Sequence, residues 1–175
     1  MTASLAIIYH HDQGVNTDRA TSQLVSGIHS QGVETQVFST VDAVHHVDAL
    51  DSFDGMAFGA ATGNESVISA MQSLAGACYS KSLSGAWRDK LATGFTASSW
   101  NSHALNAMLE FSLFSARFNM IWVPALDTDY ATSLGASSRD LEHGDFTLAN
   151  SLNHEASFQQ GQRLGQMAKQ WKPDY

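Results

Sequence analysis

At 175 residues, with 43% hydrophobic and 15% charged residues, the chain has the composition of a globular protein rather than a disordered one. A formal net charge of −8 leaves no basic footprint, which argues against nucleic acid and anionic membranes as partners. The single cysteine, Cys78, excludes an intrachain disulfide and any zinc site built from paired cysteines.

The chain opens on a short apolar run, Leu5 to Tyr9, with no charged segment before it. That run is too short for a signal-peptide core or a membrane span, so a cytoplasmic protein is expected. A polar loop leads to a helical pattern from Thr17 to Gln31. Ala20, Leu24, Val25 and Ile28 share one face of it, and Gly32 serves as C-cap. Thr35 to Phe38 alternates polar and apolar residues and reads as an edge strand. The following segment holds His45-His46-Val47-Asp48 and has no assigned element.

Gly55 to Phe58 is the next buried strand, followed by a helix over Val67 to Leu74. Leu91 to Phe95 reads as a strand, His103 to Phe118 as a helix, and Met120 to Ala125 as a last strand. Asp127 to Phe146 is polar and rich in Ser, Gly and Asp, so it reads as a loop or insertion. Glu155 to Trp171 closes the chain as a helix, with Phe158, Gly161, Leu164, Gly165 and Ala168 on one side.

Strands without strict alternation, separated by amphipathic helices, predict an α/β protein with a parallel sheet covered on both faces. The length fits one domain over residues 1–175, and five strands favour the order 2-1-3-4-5. In that topology a ligand sits beyond the carboxyl ends of the strands, so three loops matter. The first runs from His10 to Thr17, the second from Gly59 to Ser66, and the third from Thr96 to His103. Each leads into a helix N-terminus, where free N–H groups favour an anion. A capped turn with no ligand is the plainer reading of each loop.

Three further stretches carry a resemblance: Phe53-Asp54-Gly55 through Gly59, Trp87-Arg88-Asp89-Lys90-Leu91-Ala92-Thr93-Gly94-Phe95-Thr96, and Met120-Ile121-Trp122-Val123-Pro124. The middle one is close to W-K-D-K-L-A-A-G-F-T. Together they resemble the flavodoxin-like NAD(P)H:quinone oxidoreductases of the tryptophan-repressor-binding-protein (WrbA) type and the related NADPH-dependent FMN reductases. The resemblance covers about Ser4 to Pro124 and the terminal helix.

It implies a flavodoxin-like three-layer sandwich, a homodimer or homotetramer, and electron flow from NAD(P)H through FMN to a quinone. The FMN phosphate would lie on His11, Asp12, Gln13, Gly14, Val15, Asn16 and Thr17. The ring would rest on Ala61, Thr62, Gly63 and Asn64, and on Ala97, Ser98, Ser99, Trp100, Asn101 and Ser102. No side chain is required as acid or base, because the flavin carries the reaction. Phe118 stands where such proteins carry a substrate-facing histidine, and is placed on the substrate side.

This chain departs from that pattern in its ligand loops. His11 replaces a phosphate-binding serine, and the second loop lacks a proline and two bulky flavin contacts. Ser99, Trp100, Asn101 and His103 replace glycines in the third. A second reading therefore stays open: a flavodoxin-like binding or regulatory protein that has lost FMN.

The eight histidines invite a metal reading, but adjacent pairs such as His10-His11 and His45-His46 point apart on extended chain, so no metal site is expected. No G-x-S-x-G elbow and no G-x-x-x-x-G-K-[ST] loop occurs. Cys78 reads as a small hydrophobe rather than a nucleophile.

Overall fold

The first strand, β1 (Ser4–His10), sends Leu5 and Ile7 to one face of the sheet and Ala6 and Ile8 to the other, and all four are buried. Apolar residues on both sides are what a strand needs when helices cover both faces. The structure is a computed structural model, and it describes residues 2–10, 15–61, 65–97, 101–125, 136–138 and 146–171.

Helix α1 (Val15–Ser30) follows, then the edge strand β2 (Glu34–Ser39). Helix α2 (Thr40–His45) starts at Ser39, whose hydroxyl oxygen accepts the Asp42 N–H at 3.0 Å, an N-cap that fixes where the strand stops. A 3-10 turn over Val47–Ser52 then leads into β3 (Gly55–Ala61). Helices α3 (Glu65–Ala77) and α4 (Tyr79–Ser84) precede β4 (Leu91–Ala97), and α5 (Asn101–Arg117) follows it. The chain continues through β5 (Ile121–Trp122), β6 (Ala136–Ser138) and α6 (Phe146–Gln170). Among the described residues no helix is long and apolar enough to cross a membrane.

The strands run parallel in the order β2-β1-β3-β4-β5, the expected topology. Asp54 sets the register at the start of three strands. Its carboxylate accepts the Ser4 N–H at 2.8 Å, its own N–H donates to Ser4 O, and its carbonyl accepts from Leu91 N. One apolar layer lies against α2, α3 and α5 and contains Met56, Phe58, Leu74, Trp87, Phe111 and Phe114. The other lies against α1 and α6 and contains Leu5, Ile7, Leu24, Ile28, Phe95 and Leu164. Each fully buried side chain of this size contributes about 1.5–3 kcal/mol.

A buried lysine ties the first layer to the sheet. The Lys90 ammonium donates to the carbonyls of Asp51 and, at 2.6 Å, Phe53, with Leu50 O at 3.5 Å. These carbonyls lie at and just past the end of the 3-10 turn, where Leu50 O also accepts the Phe53 N–H. Trp87, fully buried, donates its indole N–H to Asp51 Oδ1 at 2.8 Å.

The fifth strand departs from expectation. Instead of one strand over Met120 to Ala125, β5 spans only Ile121–Trp122 and pairs with Leu91 and Ala92. Part of the stretch expected as a loop returns as β6, pairing with Phe95, Thr96 and Ala97. The terminal helix also begins at Phe146, well before Glu155. Neither α2 nor α4 has a strong apolar stripe: among the α4 side chains none is buried, so the periodic signal that marks a helix is missing there.

Candidate functional site

In a sheet of this order the direction of winding reverses between β1 and β3, and the carboxyl ends at such a reversal are where ligands of open α/β sheets sit. Tyr9 and His10 end β1, and His10 lies in register with Ala60 of β3. Ala61 and Ala97 face each other across the last rung between β3 and β4. Helices α1, α3 and α5 each start just past one of these strands, so their first-turn N–H groups meet at one edge of the sheet. Three positive dipole ends together favour an anion or a polar ring edge.

His10 is half-buried, and its Nδ1 lies 3.2 Å from the hydroxyl of the buried Thr40, which holds the ring toward α2. Tyr9 is half-buried on the opposite face of the sheet, packed against the layer of α1 and α6. Burial pushes its hydroxyl pKa up, and the nearby Asp18 and Asp42 carboxylates push it in the same direction. The β1 end thus carries negative charge from the first turns of both α1 and α2.

Of the residues anticipated from sequence, Val15, Asn16 and Thr17 fall in the first turn of α1, and Asn101 and Ser102 in that of α5. Ala61 and Ala97 are the last residues of β3 and β4. These flanks of all three loops come together at the carboxyl edge. His11, Asp12, Gln13, Gly14, Thr62, Gly63, Asn64, Ser98, Ser99 and Trp100 lie outside the described residues.

Phe118 is found elsewhere. It follows the C-terminus of α5 at the amino ends of the strands, where its neighbour Asn119 accepts the Asp89 N–H. Its ring packs 4.9 Å from Trp87 and 4.6 Å from Phe114, and it is buried. Those contacts are core contacts, and they account for an aromatic residue at that position.

Sequence reasoning placed His10 in the first loop without a role, and its partner Thr40 is too far along the chain to be visible locally. It also passed over Ser137 and Ser138, which β6 brings beside Thr96 and Ala97. No strand-like pattern marks that segment. His45 and His46 are exposed at the end of α2, where His46 Nδ1 is 2.8 Å from Asp42 O. Among the described residues no three His, Cys, Asp or Glu side chains gather as a metal site would require. Cys78 is buried and its thiol is pushed up to about 12, chiefly by desolvation, so it stays protonated and unreactive near neutrality.

No family model matches the chain, and no curated protein is similar to it in sequence. Solved structures are similar. A flavodoxin, WrbA-like protein from Agrobacterium tumefaciens is 22% identical, with 98% of this chain and 100% of that one covered and a TM-score of 0.75. A flavodoxin from the domain Archaea is 16% identical over 95% and 99% of the two chains, with a TM-score of 0.63. An oxidoreductase from Corynebacterium diphtheriae is 10% identical over 98% and 99%, with a TM-score of 0.67. The strand order and these likenesses agree: the chain has the flavodoxin-like fold and is similar in structure to a WrbA-like protein.

Proposed function

We propose that the chain binds FMN at the carboxyl edge of its sheet and acts as an oxidoreductase, taking electrons from NAD(P)H and delivering them to a quinone or similar acceptor. The observation that carries this reading is the meeting of the α1, α3 and α5 first turns at the β1–β3 reversal. The described residues fit such a group. Backbone N–H groups at the α1 start suit the phosphate, and β3 and β4 both end at the same edge, beside the starts of α3 and α5. FMN bound there would supply hydride acceptance and electron transfer; the protein would bind it, orient it and exclude water. His10, at the end of β1, is held toward α2 by Thr40.

One observation favours the alternative, a flavodoxin-like binding or regulatory protein without flavin. Asp18 and Asp42 surround the β1 end with negative charge, and Asp12 adds another acid to the first loop, which opposes a phosphate. A visible absorption spectrum of the purified protein, before and after excess FMN and removal of the unbound fraction, separates the two. Flavin bands with quenched fluorescence support the oxidoreductase and lead to a quinone assay. A protein that stays colourless overturns it.

A further inference from the structure

The point where β5 stops is held by side chains. Val123 N–H still donates to Ala92 O at 2.7 Å, the last rung of the first half of the strand. In a continued parallel ladder the Val123 carbonyl would accept the next inward N–H of β4. Instead it accepts the Thr93 hydroxyl at 2.7 Å and the Gln160 amide at 3.1 Å. The Gln160 NH2 also donates to Thr93 Oγ1. One turn further along α6, Arg163 Nε donates to the Pro124 carbonyl at 2.9 Å.

The orientation of the Gln160 amide is forced. Thr93 spends its hydroxyl proton on Val123 O, so both groups facing Gln160 are acceptors and only its NH2 suits them. Thr93 and Gln160 are both buried, so water does not compete for these bonds. Two consecutive carbonyls thus take side-chain donors, Gln160 and Arg163 of α6 and Thr93 of β4, in place of a backbone N–H of β4. The sheet then resumes with β6 beside Phe95, Thr96 and Ala97, which brings Ser137 and Ser138 to the carboxyl edge.

We propose that Gln160, together with Thr93 and Arg163, is a positioning residue: it divides the fifth strand at Val123 and so places β6 as the outer wall of the ligand edge. Its effect on ligand binding rests on the FMN reading above; its effect on β6 does not.

The test is amide hydrogen exchange by NMR on the full chain, paired with FMN titration by fluorescence quenching. Gln160→Leu should speed exchange of the Ala136, Ser137 and Ser138 amides by about tenfold or more while Met56 to Gly59 keep their protection. It should also weaken FMN binding by about fivefold or more. Thr93→Ser, which keeps the hydroxyl, should retain both properties. Should Gln160→Leu fail to fold, Arg163→Leu removes only the Pro124 bond and should show the same selective loss on a smaller scale.

Unchanged β6 exchange in these variants overturns the proposal, as does a uniform acceleration across β3 and β6. Faster β6 exchange with unchanged FMN affinity overturns the link to the ligand edge. If the unmodified protein takes up no FMN, the flavin reading fails, and the exchange measurement still decides the role of Gln160.

Discussion

Gly27 on α1 and Gly161 on α6 lie against each other's helix backbone. A Cβ added at Gly27 would sit 2.1 Å from the Phe158 carbonyl oxygen, and one added at Gly161 would sit 2.1 Å from that of Leu24. The two helices that cover one face of the sheet therefore touch main chain to main chain. Leu24, Ile28 and Leu164 fill the space between them and the strands.

Gly27→Ala and Gly161→Ala should each destabilise the fold by about 1–3 kcal/mol or more, because backbone, unlike a side-chain tip, cannot swing away. Gly76→Ala is the control. It sits near the end of α3 with nothing within 4 Å of the added methyl, and should stabilise by about 0.4–1 kcal/mol. Urea unfolding of the three variants checks this, and equal effects at Gly76 and Gly161 would contradict it.

Lys90→Met should cost about 1–3 kcal/mol, since buried carbonyls lose their donor. The pH dependence has a definite sign. Desolvation lowers the Lys90 pKa below its ordinary 10.5, so on approaching that pH the unfolded chain binds more protons than the folded one. The stability difference between the native protein and Lys90→Met should therefore grow as pH rises toward 10.5. Denaturant curves at several alkaline pH values measure it, and a difference that shrinks would refute the burial argument.

Asp48 and Asp51 both reach the Lys81 ammonium, yet only Asp51 also serves the indole of the buried Trp87. The Asp48 side chain is 95% exposed, so Asp48→Ala should change stability by no more than about 0.5 kcal/mol. Asp51→Ala orphans the Trp87 N–H and should cost about 1–3 kcal/mol. Thermal melts of the two variants, with tryptophan fluorescence as a second readout, distinguish them.

The Cys78 thiol, pushed up to about 12, should resist a disulfide reagent at pH 8 in the folded protein and react fully in denaturant. The rate at which it reacts in the native state then reports opening of the layer formed by Leu74, Trp87 and Phe114. Rapid labelling of the folded protein would show that the layer is looser than these contacts imply.

Legible in the residue pattern alone are the elements whose apolar residues are buried at strand or helix spacing. Leu5 to Tyr9, Gly55 to Phe58 and Leu91 to Phe95 carry apolar residues on both faces, which only a covered parallel strand needs. Ala20, Leu24 and Ile28 mark the inner stripe of α1 at helical spacing. Right-handed crossovers limit such a chain to doubly wound forms, and five strands favour the order 2-1-3-4-5 that the sheet has. What depends on partners far along the chain emerges only once the chain is folded. Lys90 is buried because carbonyls of the 3-10 turn come to it, and His10 is held by Thr40. Phe118 joins the core because Trp87 lies beneath it. The fifth strand breaks at Val123 because Thr93 and Gln160, on two other elements, take its carbonyl. A local pattern records which residues prefer burial; it carries no record of which distant donor will meet a given carbonyl, and at the edge of this sheet those donors set the shape of the site.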